Sequence, residues 1–269
     1  MGDPAQLPPV GFGLVFHRLV ADVGITAHLS HVHRQAAATG IPAAASAVRG
    51  KAMPTFTPYD GARDGVSFVE ADGEGLAEEV RRVALDLGID EGGALVVTAT
   101  NDGDAGVHVL NETLHEHHVE RTGFDEMRGL LGRFFAVGSP VIFGRNDYRL
   151  GLFNGLLGKV VRTFPDDMAV SVLFDDEAEP RLLSSEHLVD LDLAYAVTCH
   201  KCQGSSASRV VVPVYPSRVV DPSWLYTAMT RGERQVVFVG DPGHFGDALA
   251  KPFAASLRRV GLRWDGVGE

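Results

Sequence analysis

Four short stretches of this chain hold side chains whose types and spacing could do chemistry. "GDPAQLPPVG" sets an amide, Gln6, in a tight Gly- and Pro-rich loop. "HRQ" sets Arg34 at the end of an alternating run. "AYAVTCHKCQGSSASRVVV" gathers a hydroxyl (Thr198), an imidazole (His200), an ammonium (Lys201), an amide (Gln203) and a glycine (Gly204) between two apolar runs. "LYTAMTRGERQVVFVGD" sets Arg231 near the end of a helical stretch that leads into a β-branched run. Guanidinium forks, amides and hydroxyls are groups that can hold an anionic or polar ligand. Taken singly, an arginine on a helix is usually a surface charge and a glutamine in a loop is usually solvated. The order and spacing of the four stretches carry the weight.

Other constellations fail their own tests. "NGLLGKVV" imitates a phosphate loop, but the pattern needs Gly where Phe153 stands and a hydroxyl where Val160 stands. A hairpin turn accounts for it better. "CHKC", Cys199 to Cys202, is a lone C-x-x-C without two further ligands or a thioredoxin-like setting, so neither a metal nor a redox site is expected. "LHEHHVE" resembles H-E-x-x-H, but Val119 stands where the second ligand belongs. A solvated helix face is the expectation there. His28, His31 and His33 have no carboxylate or cysteine spaced to complete a ligand set and read as strand residues.

The elements that must position these residues alternate. Of the 269 residues, 45% are hydrophobic and 22% charged, enough for a substantial core in one or two domains. No apolar run reaches spanning length, no signal segment opens the chain, and two cysteines cannot staple a secreted scaffold, so a reducing cytoplasm is expected. A formal net charge of -11 weighs against a general nucleic-acid-coating surface but not against a local basic channel. "LVFHRLVAD" predicts a short helix. A short strand is expected through Leu29 and a helix near Pro42 to Val48, ending at Gly50. "GVSFVEA" and "GALVVTATND" read as strands; "GLAEEVRRVALDLG", with Leu76, Val80, Val83, Ala84 and Leu87 on one face, and "GVHVLNETLHEHH" read as helices. Strand, loop and helix repeated predict an α/β domain with a parallel sheet. From about Gly138 the pattern becomes short strand-like runs between acidic and Asn-Gly turns, without a helical period. About fifty residues of small antiparallel barrel inserted in the α/β domain are expected there. The α/β pattern then resumes through "RVVVPV", "SWLYTAMTRG", "QVVFVG" and "GHFGDALA", and residues 251–269 read as a loosely held tail.

Together the four stretches resemble superfamily-one ATP-dependent DNA helicases of the RecD-like type, with their UvrD-like C-terminal domain, over nearly the whole chain. "GDPAQLPPV" is similar to motif III, "HRQAAATGIPAAA" to motif IV, "AYAVTCHKCQG" to motif V and "LYTAMTRGERQVVFVGD" to motif VI. "GRNDYRLGLFNGLLGKVV" resembles the segment that opens the SH3-like barrel of that family's second motor domain. The resemblance implies a RecA-like P-loop NTPase lobe with that barrel inserted. It divides the chain into the end of a first motor domain (1–27), the second motor domain (28–137 and 193–250), the barrel (138–192) and a tail (251–269).

By the same resemblance, ATP sits between two lobes, with Gln6, Arg34, Gln203, Gly204 and Arg231 beside it. Arg34 and Arg231 match the arginines that stabilise the transferring phosphoryl group, and Gln6 the γ-phosphate sensor. Pro8, Thr198 and His200 match positions near single-stranded DNA. Translocation would run 5′ to 3′, in the setting of DNA repair and recombination. Two departures stand out. No acid follows Gln203-Gly204-Ser205, where Ser206 stands, so a family contact to the nucleotide ribose is in doubt. Neither a Walker A lysine nor an acidic Walker B pair occurs in the 269 residues, so the Mg²⁺ ligands are expected on a first motor lobe supplied in cis or trans. A truncated gene, a mis-assigned start and half of a split protein all fit, as do a non-catalytic DNA- or protein-binding module and an inert remnant.

Overall fold

The computed structural model describes residues 2–9, 14–22, 24–27, 37–175 and 177–258. In chain order the first elements are α1 (Val15–Leu19), α2 (Ile41–Arg49), β1 (Gly65–Glu70), α3 (Leu76–Asp86), β2 (Ala94–Thr98) and α4 (Val107–Thr122). A strand-rich region follows: β3 (Met127–Arg128), β4 (Phe134–Phe135), β5 (Pro140–Phe143), β6 (Leu156–Phe164), β7 (Ala169–Phe174), β8 (Arg181–Leu183), α5 (Ser185–Leu188) and β9 (Leu191–Leu193). The last elements are β10 (Ala196–Thr198), β11 (Ala207–Val214), α6 (Pro222–Met229), β12 (Gly232–Gly240) and α7 (Pro242–Ala250).

β1, β12, β11, β2 and β10 lie in that order in one sheet, every pair parallel. The β-branched runs form these strands because both faces are covered. Val210, Val212 and Val214 of β11 join the apolar cluster of α2, α6 and α7, with Ile41, Val48, Trp224, Leu225 and Phe245. Val211 points the other way, into the cluster of α3 and α4 with Val80, Val83, Leu110 and Leu114. A Val or Leu fully buried this way stabilises by about 1.5–3 kcal/mol. The result is the α/β lobe with a parallel sheet that the alternating pattern predicts. α6 and α7 begin alike. Asp221 and Asp241 cap them by accepting from Trp224 N (2.8 Å) and Gly243 N (2.7 Å), with Pro222 and Pro242 at the first helical position.

Between α4 and β10 the chain leaves this sheet and builds a second, antiparallel one in the order β8-β7-β6-β5-β9. Its apolar core holds Val141, Phe143, Val160, Val172, Phe174 and Leu191. Met127 and Phe135 of the β3–β4 pair belong to the same core, so strand structure begins upstream of Gly138. A helical turn, α5, lies in a stretch that shows no helical period, because four residues are too few to reveal one.

Two expectations change, and some lie beyond what the structure describes. The "LHEHHVE" stretch is solvated only at Glu116 and Glu120: His115 and His118 are buried, because α4 turns them toward both chain segments that join the two sheets. The tail is fastened as far as residue 258. Lys251 Nζ donates to Ser217 O (2.5 Å) and Val220 O (2.9 Å), and Ala254 N donates to Asp221 Oδ2 (2.6 Å). The strand expected through Leu29, the three histidines His28, His31 and His33, Arg34 and residues 259–269 lie outside the described residues.

Candidate functional site

The connection from β10 to β11 crosses the whole height of the parallel sheet. Thr198 pairs with Thr98 at one edge, and Arg209 pairs with Ala94 toward the other, an advance of about 13 Å at strand rise. Residues 199–206 make this descent in compact turns: Cys202 N donates to Thr198 O (3.2 Å) and Ser205 N to Cys202 O (3.1 Å). Cys199 and Cys202 anchor the connection in the core. The Cys199 thiol reaches Trp224 O (3.9 Å) and the Cys202 thiol reaches Cys199 O (3.4 Å). Burial pushes the Cys199 thiol well above its ordinary value, so it packs as a small apolar group. Thr198 and the half-buried His200 therefore stand at the strand-end edge, and Gln203 and Gly204 lie further down. Burial, then the nearby Arg258 charge, lowers the His200 pKa, which favours a neutral imidazole. Gly204 has φ +98°, a turn that a side chain would strain.

At the lower edge Leu7, Thr227 and Arg231 close a ring of hydrogen bonds with the 202–205 backbone turn and Gln203. Leu7 N donates to Thr227 Oγ1 (2.8 Å), and Gln203 Nε2 donates to Leu7 O (3.2 Å). Arg231 Nε donates to Thr227 O (3.2 Å), and its Nη1 donates to Ser205 O (2.9 Å) and more weakly to Cys202 O (3.5 Å). Residues 2–9 thus lie across α6 and the β10–β11 connection. Leu7 enters the core, and Tyr226 OH donates to Asp3 Oδ2 (2.7 Å). Burial, then that carboxylate, raises the Tyr226 pKa to about 12. Asp3 also takes Ala5 N (2.9 Å), the contact that Asp241 makes with Gly243 N (2.7 Å), although only Asp241 opens a helix.

Of the residues singled out from sequence, Gln6, Gln203, Gly204 and Arg231 meet in this one region. Gln6 is half-buried beside Leu7. Arg231 is 1% exposed and is held by carbonyls rather than standing at the surface. Its Nη2 also reaches Thr230 Oγ1 (3.3 Å). Pro8 is buried beside Leu7, so in this arrangement its ring packs against protein.

One residue of the region escaped sequence reading. Ser206 Oγ donates to Glu233 Oε1 (2.5 Å). A carboxylate on β12 thus stands beside Ser206, the position at which the sequence has no acid. Only the pairing of Ala207 with Gly232 brings the two together.

On the other side of the connection lies a cleft of about 610 Å³ between the two sheets, lined by Asn101, His108, Asn111, Arg133, Phe134 and Lys201 among others. Arg133 and Lys201 both reach Asp192, at 2.7 and 3.2 Å. No helix among the described residues is long and apolar enough to cross a membrane.

Residues 193–239, which span this connection and the arginine, match the UvrD-like helicase C-terminal domain. The chain is 33% identical to the RecBCD enzyme subunit RecD of Mycolicibacterium smegmatis, over 98% of this chain and 48% of that protein. It is 30% identical to the ATP-dependent RecD2 DNA helicase of Deinococcus radiodurans, over 93% of this chain and 33% of the relative. It is also 30% identical to the conjugal transfer protein TraA of Rhizobium radiobacter, over 86% of this chain and 21% of the relative. The chain spans half or less of the length of these relatives. Among solved structures, the Pif1 helicase from Bacteroides in complex with ADP-AlF3 and ssDNA overlaps 88% of this chain and 60% of its own, at 17% identity and a TM-score of 0.48.

Proposed function

The chain is a homologue of RecD-type helicases and carries a UvrD-like helicase C-terminal domain, and we propose that it works as the second motor lobe of an ATP-dependent DNA helicase. ATP and Mg²⁺ bind against a first lobe bearing the phosphate loop and acidic pair, present in cis or in trans. The observation that carries this reading is the hydrogen-bonded ring that unites the Gln6 loop, Gln203 and Arg231.

In this reading Arg231 is kept oriented by carbonyls until a phosphoryl oxygen takes their place. A phosphoryl oxygen brings a negative charge that a carbonyl lacks, and a guanidinium can hold two such oxygens at once. Gln6 senses the γ-phosphate, and Arg34 is the second guanidinium at the site. The β10–β11 connection ties the nucleotide edge, through Gln203 and Gly204, to the opposite edge, where Thr198 and His200 meet single-stranded DNA. Lobe closure and opening then step the strand 5′ to 3′. The antiparallel insert is assigned as the family's SH3-like barrel, and the protein works in the cytoplasm. The proposed domain limits are 1–27, 28–137, 138–192, 193–250 and 251–269, with Met127 and Phe135 of the preceding segment joining the core of the insert.

The test supplies a first lobe from a RecD-type relative, fused ahead of Gly2 or added as a separate chain. DNA-stimulated ATPase should appear. Arg231→Ala should lower turnover about 10³-fold, the scale of a supplied arginine, with much less change in nucleotide affinity. Lys at that position should rescue poorly, since a point charge cannot reproduce the fork. A reconstituted ATPase indifferent to Arg231→Ala would remove the residue from the mechanism.

A further inference from the structure

The excursion between β5 and β6, residues 144–155, holds two aromatic rings out to solvent. Tyr148 is 80% exposed and Phe153 51%, and their centroids lie 6.2 Å apart with the planes 73° from parallel. The backbone beneath them is fastened. Asp147 and Leu152 exchange two backbone hydrogen bonds (2.7 and 2.9 Å), and Leu152 is fully buried in the core of the insert. Asp147 Oδ1 takes Arg149 N (2.9 Å) and Leu150 N (3.1 Å), and Asn146 Oδ1 takes Asn154 N (2.9 Å). The rings are therefore set on an ordered backbone before any partner arrives, so less ordering entropy is lost on binding.

The charges around them are mixed but unevenly committed. Arg149 is exposed and has no ion pair among the described residues, whereas Arg145 reaches Asp190 (3.3 Å) and, loosely, Asp147 (3.9 Å). A recess of about 520 Å³, which the rings do not line, is bounded by Arg145, Asp147, Arg149, Leu150, Glu186 and His187. Asp147 spends one carboxylate oxygen on the two backbone N–H groups, which leaves Arg149 as the uncommitted charge of this tip.

The base of the excursion touches the connection that carries Gln203. Ser205 Oγ donates to Gly155 O (3.2 Å), and Gly155, at φ +90°, lies so close that a Cβ would stand 2.8 Å from Lys201 O. The aromatic tip is thus built onto the element proposed to link the two edges of the lobe.

We propose that Tyr148 and Phe153 form a base-stacking platform for single-stranded nucleic acid, with Arg149 meeting its phosphates. This rests on the proposed function, in that a single strand is the partner. Two rings fall far short of the roughly 800 Å² per side of a stable protein interface. One ring suffices per base, whatever the sequence, and a nearby guanidinium adds to the attraction.

The test measures anisotropy of a short fluorescein-labelled oligothymidylate with the full chain at low salt. Tyr148→Ala and Phe153→Ala should each weaken binding about tenfold, the scale of one stacked base. Tyr148→Trp should preserve binding, and an unlabelled oligothymidylate should quench the new indole. Both rings are exposed, so these variants leave the core intact, and circular dichroism checks that. If the parent binds and the double alanine variant binds equally well, the platform assignment falls and the rings are left to a protein surface. An unquenched Trp under saturating oligonucleotide, or a parent that binds no oligothymidylate at millimolar concentration, also overturns it. None of these outcomes bears on the reconstituted ATPase, which tests the motor reading separately.

Discussion

Arg231 and Glu233 stand one residue apart across Gly232 and do opposite things. The guanidinium is buried against the carbonyls of Thr227, Ser205 and Cys202, while the carboxylate accepts from Ser206. Under the proposed function the first meets the phosphates, and the second replaces the acid that motif V lacks, as partner of the ribose hydroxyls. Glu233→Ala in the reconstituted protein should then weaken ATP binding about tenfold, the scale of a hydrogen bond to a charged group. It should also narrow the preference for ATP over its 2′-deoxy analogue, with turnover at saturation little changed. Competition binding with the two nucleotides measures this; an unchanged ratio would deny Glu233 the role. The motif resemblance singled out Arg231 in sequence, and the structure buries it beside Gln203's loop. Glu233 was not legible, because a residue on β12 and one on the approach to β11 meet only through parallel pairing.

Among the elements, α4 has most to do with holding the two sheets together. Asn111, His115 and His118 lie on one side of it. Asn111 Nδ2 donates to Leu193 O (3.1 Å) and Ala196 O (2.9 Å), and its Oδ1 accepts from Ala196 N (2.8 Å). His118 Nε2 meets Val137 O (2.9 Å), and His115 Nδ1 lies 3.3 Å from Ser139 Oγ and 3.4 Å from Tyr195 OH. Both passages of the chain, into the insert and out of it, are therefore tied to one helix. Asn111→Leu fills similar space but leaves buried backbone groups of Ala196 without partners. It should cost about 2–3 kcal/mol, at the penalty of an unsatisfied buried group. A urea titration followed by far-UV circular dichroism should show the midpoint fall accordingly; an unchanged midpoint would mean the clamp adds nothing. Periodicity identified this helix correctly but assigned its histidines to solvent, because polar residues on a helix look exposed until the buried acceptors they reach are known.

At the scale of the whole molecule, His115 couples stability to pH. Burial is the largest effect on His115 and lowers its pKa below 6.5, with a further lowering from His118; Glu126, 3.0 Å from Nε2, works the other way. Tyr195 and Ser139 face it without adding charge. A histidine with a depressed folded pKa binds fewer protons folded than unfolded, so stability rises with pH between the two values. The contribution is complete above about 6.5 and is lost as pH falls through the folded value. Thermal midpoints should hold from pH 8 to about 6.5 and then decline, and His115→Gln should flatten the decline over that window. A parent midpoint indifferent to pH over this range would contradict the burial of a neutral imidazole.

In the parallel-sheet lobe the order of strands and helices from α2 onward could be read before any coordinates, because each β-branched run and each apolar helical face is a local pattern with its own period; α5 and the β3–β4 pair are too short to show one. The same holds for the four motif stretches, whose residues are contiguous in the chain. What the tertiary structure alone decided is everything that depends on distant segments meeting. The Gln6 loop lies against α6, more than two hundred residues downstream. Ser206 finds its acid on another strand, and the buried histidines find their acceptors where the chain passes between sheets. The physical reason is one and the same. Local periodicity tells a side chain which face it is on, but a hydrogen bond needs a partner at about 3 Å, and that partner is set by sheet order and strand register.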